Sequence, residues 1–114
     1  MAGEVLVVAE QHDGTVKRAS LEAMTLGARL ANSMGTTATA LVGGAGAGSA
    51  AGALGSHGAE NVVVVEADIA DANAWAATAA AQVSARGASL VLLAHTNHGK
   101  DLGPRIAGLV DAPM

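Results

Sequence analysis

A chain of 114 residues that is 51% hydrophobic and only 14% charged has the size and apolar content of one folded domain, not of a disordered segment. Its formal net charge of −4 lacks the basic field of a nucleic-acid binder, and the absence of cysteine removes disulfides, thiolate metal sites and cysteine nucleophiles. Trp75 is the only aromatic residue. The core must therefore be built from Ala, Val and Leu, which bury little area apiece and leave a modest margin of stability.

The opening Met1-Ala2-Gly3-Glu4 has neither the basic start and apolar stretch of a secretory signal nor the arginines of a transit peptide. No apolar run approaches the length of a membrane span. The expectation is a soluble, intracellular protein with no nucleic-acid partner and no membrane insertion.

In chain order, Val5 to Ala9 is a continuous apolar run, as in a strand covered on both faces. Asp13-Gly14 marks a turn. From Ala19 to Met34 the period is helical, with Ala23, Leu26, Gly27, Leu30 and Met34 on the sheet-facing side and Gly35 as the stop. Thr36 to Val42 is a second strand. The Gly/Ala-rich stretch Gly43 to Gly58 then reads as a crossover with a short, weak helix. Gly44, Gly46, Gly48 and Gly52 suggest a phosphate-binding loop, but their spacing is not G-x-G-x-x-G and they follow the second strand, not the first.

Val62 to Val65 is the third strand, and Asp71 to Arg86 an Ala-rich helix that buries Ala76, Ala77, Ala80 and Val83 and ends at Gly87. On that wheel Trp75 joins Asp71, Thr78, Gln82 and Arg86 on the opposite side. It is expected to pack under a neighbouring loop or to form a subunit or domain contact, since Trp is enriched in interface hot spots. Leu90 to Leu93 is the fourth strand. The last helix, from about Lys100 to Val110, sets Leu102, Ile106, Leu109 and Val110 on one stripe, with Pro104 accommodated in its first turn.

The segment His95-Thr96-Asn97-His98-Gly99-Lys100-Asp101 leaves the carboxyl end of the fourth strand, where open α/β sheets place ligands. Two readings stand. Asn97 or Asp101 caps the helix, or Asn97, His98, Lys100 and Arg105 touch a ligand or subunit. Gly99-Lys100 lacks the upstream glycine and following hydroxyl of a P-loop. His95 and His98 have no third ligand suitably placed in sequence to make a metal site. No nucleophile, base and acid set is visible, so no catalytic, cofactor-binding or metal residue is assigned.

Alternation of strand and helix predicts an α/β three-layer sandwich with a mainly parallel sheet and right-handed crossovers. The sheet should have an open edge after the fourth βα unit, and residues 1–114 are expected to be an incomplete domain.

Val5-Leu6-Val7-Val8-Ala9-Glu10, His12-Asp13-Gly14 and Ser20-Leu21-Glu22 resemble the start of electron-transfer flavoprotein α subunits. The stretch from Leu92 through His95-Thr96-Asn97-His98-Gly99-Lys100-Asp101 to Pro104-Arg105-Ile106-Ala107 is similar to the family segment linking a strand, a small-residue loop and a helix. Gly58-Ala59 and Asp111-Ala112-Pro113-Met114 fit as well, and in the family a further strand follows directly.

The resemblance implies an adenine-nucleotide-hydrolase-like, Rossmann-like fold and a β subunit of related fold as partner. It implies FAD in a carboxyl-terminal α domain, absent from this stretch, and AMP or a second FAD in β. Electrons would come from acyl-CoA dehydrogenases and pass to a quinone oxidoreductase, with the amino-terminal α domain acting as scaffold and not as an enzyme. A bacterial cytoplasm is the expected setting, or a mitochondrial matrix if a transit peptide has been removed. The alternative is a free-standing nucleotide module similar to universal stress proteins. Their Gly-rich phosphate loop after the fourth strand is represented here by Gly99 alone.

Overall fold

The computed structural model describes residues 3–66 and 71–111. Along the chain run β1 (Val5–Ala9), β2 (Gln11–His12), β3 (Thr15–Val16), α1 (Arg18–Met34) and β4 (Ala38–Gly43). A 3-10 turn (Ala47–Ala50) continues into α2 (Ala51–Ser56), followed by β5 (Asn61–Val65), α3 (Ala72–Arg86), β6 (Leu90–Leu93) and α4 (Asn97–Val110). The main sheet is parallel throughout, in the order β5-β4-β1-β6. This is the expected α/β class.

β1 is central and buried along its whole length, which is why it carries no polar residue. Successive side chains point to opposite faces. Val5, Val7 and Ala9 therefore meet Met24, Ala31 and Leu54 on the α1/α2 side, while Leu6 and Val8 meet Leu102 and Ile106 on the α3/α4 side. The result is three layers.

Both long amphipathic helices are rotated from the faces their leucines suggested. In α1 the buried positions are Ser20, Met24, Gly27 and Ala31, and Leu26 is 51% exposed. Met34 is exposed as well. Gly27 explains the rotation, since a Cβ there would lie 2.6 Å from Val7 Cγ2. The helix seats its smallest residue on β1, and Leu26 turns outward.

α4 behaves in the same way. Its buried face is Gly99, Leu102, Gly103 and Ile106, so Leu109 is carried to the rim and is 59% exposed. α4 also starts three residues earlier than its pattern suggested. Pro104 therefore sits in the body of the helix and not in its first turn, leaving the exposed Lys100 carbonyl without the usual i+4 amide.

Trp75 requires the largest correction. It does not face outward but is 2% exposed, packed among Leu6, Val8, Leu41, Leu102 and Ile106. Ala76, Ala79 and Ala80 are buried beside it, and Ala77 is exposed. A helix made largely of alanine has little polar contrast around its circumference, so counting methyl groups does not locate its inner face. One indole buries roughly 150–250 Å², far more than any alanine, and its burial decides the orientation.

Two turns prepare the site. Asp13 and Gly14 both have positive φ and close the β2–β3 hairpin. Gln11 then ties that hairpin to the Gly/Ala crossover: its Nε2 donates to the Gly43 carbonyl at 2.9 Å and its Oε1 accepts from Gly14 N–H at 2.7 Å.

Candidate functional site

From β1 the chain crosses to β4 on one side, and after α3 it returns to β6 on the other. The carboxyl ends of β1 and β6 thus flank the topological switch point, where open α/β sheets hold their ligands. A crevice of about 240 Å³ lies there, lined by Ala9, Glu10, Lys17, His98 and Gly99, with Trp75 also in its wall.

Glu10 organises this crevice. It is the first residue after β1, and its side chain is only 10% exposed. Its backbone N–H donates to Ser20 Oγ at 2.8 Å, and its carbonyl accepts from Lys17 N–H at 2.9 Å. Ser20 is buried in the first turn of α1, so both contacts fix the start of that helix. The carboxylate completes the link: Oε2 accepts from the Thr96 hydroxyl at 2.7 Å, and Oε1 lies 3.5 Å from Lys17 Nζ.

Thr96 is the N-cap of α4. Its Oγ1 accepts from Gly99 N–H at 3.0 Å while its hydroxyl donates to Glu10. A relay thus runs from the Gly99 amide through Thr96 to the carboxylate. It places a negative charge at the positive end of α4, where the helix dipole favours one. The first turn of α4 packs closely on the loop leaving β6, because a Cβ on Gly99 would sit 2.0 Å from the Ala94 carbonyl oxygen. Both Glu10 oxygens are engaged by partners within the chain.

The candidates from sequence divide. His98 lines the crevice, half-buried. Asn97 is exposed at the first position of α4, and Lys100 lines a separate groove beside β6 with His95. Arg105 is a strut between helices: it pairs with Asp101 at 3.2 Å and donates to Asn73 Oδ1 on α3. Trp75 belongs to the core. Capping falls to Thr96, not to Asn97 or Asp101. Sequence reasoning assigned no role to Glu10, Lys17 or Thr96. The available signals were a carboxylate directly following a buried strand and a threonine ahead of a helix. Among the described residues, no group of three or more His, Asp or Glu side chains could hold a metal ion, and no helix is long and apolar enough to cross a membrane.

The architecture is that of a Rossmann-like α/β domain with a parallel sheet between two helical layers. A universal stress protein solved in complex with cAMP has the same fold, with a TM-score of 0.60 and 14% identity, covering 98% of this chain and 94% of that one. Residues 5–114 match the electron transfer flavoprotein domain, and the chain belongs to that family. The electron transfer flavoprotein subunit alpha of Clostridium acetobutylicum is 32% identical over 106 residues, which is 90% of this chain and 32% of that protein. The chain therefore spans about a third of the length of the curated relative it matches.

Proposed function

We propose that this chain is the amino-terminal scaffold domain of the α subunit of a heterodimeric, FAD-containing electron carrier. The observation that carries the reading is the family match over residues 5–114, joined to an α-subunit relative of which the chain covers about a third. On this reading FAD is held by a carboxyl-terminal domain of the longer α chain, and a β subunit of related fold carries AMP or a second FAD. The carrier takes electrons from acyl-CoA-type dehydrogenases and delivers them to a quinone oxidoreductase. The domain described here performs no chemistry of its own.

The open side of the sheet is consistent with a longer chain. Within the described residues β6 pairs only with β1, and beside its free edge runs an apolar groove of about 420 Å³ lined by Val83, Leu90, Ile106 and Val110. An exposed aliphatic edge is a liability unless covered, and the next strand of the α chain would cover it.

Co-expression with an electron-transfer flavoprotein β subunit from the same source tests the scaffold role. The expected result is a one-to-one complex on size exclusion, with the 114-residue chain itself free of flavin. A chain that ignores β, or one that binds stoichiometric flavin alone, would contradict it.

A further inference from the structure

We infer that Glu10 is a built-in anion that closes the switch-point crevice to phosphate, so that this domain has the position of a nucleotide site but refuses nucleotides. The inference concerns the crevice itself and holds whatever the domain pairs with. In open α/β folds, phosphate is drawn to the free amides and positive dipole at a helix amino terminus beyond the sheet's carboxyl edge. That position exists here at Thr96 to Gly99, and the chain's own carboxylate occupies it.

Three observations support this. The Glu10 side chain is 10% exposed and accepts from Thr96 at 2.7 Å, so the N-cap hydroxyl that could meet a phosphate is already spent. The Gly99 amide is bound to Thr96 Oγ1 and points to no vacancy. The Glu10 carboxylate faces Lys17 Nζ at 3.5 Å, so the cation nearest the crevice is already matched by an internal charge. A phosphate entering beside Glu10 would meet a like charge in a partly desolvated site, where repulsion is far stronger than in water.

The crossover repeats the arrangement. Gly48 N–H, in the glycine-rich turn after β4, donates to Glu66 Oε1 at 3.0 Å. Gly48 thus meets the exposed Glu66 carboxylate directly, and Gly99 reaches Glu10 through Thr96. Lys17 partly neutralises Glu10 from a side chain that is itself 55% exposed. The crevice presents a neutralised pair, not an anion receptor.

The test compares 5′-AMP with adenosine, which differ by the phosphate alone, on the 114-residue chain and on Glu10→Gln and Glu10→Ala. Glu10→Gln keeps an acceptor for Thr96 and removes only the charge, so its fold should survive if Glu10→Ala does not. By calorimetry, the natural chain should bind AMP no more tightly than adenosine, and AMP should leave the Gly99 amide resonance unmoved. Folded Glu10→Ala, which removes the charge and releases the Thr96 hydroxyl, should gain about tenfold or more in AMP affinity, about 1.4 kcal/mol, with adenosine unchanged, and Glu10→Gln, which keeps Thr96 bonded, should gain less. A natural chain that prefers AMP tenfold and shifts the Gly99 amide overturns the inference. So does a folded variant, verified by circular dichroism, that gains nothing. If neither variant folds, the natural chain's AMP-to-adenosine preference decides alone.

Discussion

Trp75→Ala is expected to lower the unfolding free energy by about 3–5 kcal/mol, the usual cost of removing a buried aromatic side chain. The indole is 2% exposed and joins α3 to α4 and to the Leu6/Val8 face of β1. Such a loss is a large part of the ~5–15 kcal/mol that holds a typical domain together, and no other aromatic residue in the chain can compensate. Urea denaturation measures it directly. A residue serving only as a subunit contact would leave the isolated chain's midpoint where it was and weaken association instead. The burial of Trp75 predicts the reverse.

The second large effect is expected at Gly99. An alanine Cβ would lie 2.0 Å from the Ala94 carbonyl oxygen, a backbone atom that cannot swing aside as a side chain can. Gly99→Ala must lift the first turn of α4 from Ala94, in the loop leaving β6, and so disturb the Thr96–Glu10 bond. A loss of about 2–3 kcal/mol follows, at the upper end of ordinary overpacking. The control lies in the same helix. Gly108 is exposed with open space around its Cβ position, and Gly108→Ala should gain about 0.5–1 kcal/mol from helix propensity. Equal losses at the two positions would mean that α4 resists any side chain, not that it is held close at its start.

These two residues also show what could be read from the sequence. The four main strands were legible because runs such as Val5 to Ala9 and Val62 to Val65 leave little alternative to a strand in a parallel sheet. Gly35 and Gly87 marked helix ends, and both adopt left-handed backbone there. The helix faces were less legible. Reading them from leucines assumes that the largest apolar residue points inward, whereas in α1 and α4 a glycine sets the contact and turns Leu26 and Leu109 out. In α3 the alanines gave no contrast, and the single indole outweighed them.

The β2–β3 hairpin has two residues on each side, too few for any period to show. The site was the hardest part to read. Glu10 and Thr96 lie 86 positions apart, and only the pairing of β1 with β6 brings them together. Family resemblance located the segment around Thr96 but gave no reason to single out Glu10. Its importance comes from four contacts at one residue, made to Ser20, to Thr96 and twice to Lys17.

The most direct measurement of the central claim is the visible spectrum of the native protein, captured from its source with an antibody raised against this domain. Flavin absorption bands are expected, with an α chain about three times the length of this one, consistent with the 32% coverage of the relative, and a second subunit in the eluate. A colourless 11.0 kDa species with no partner would contradict it and remove the electron-carrier role from this chain.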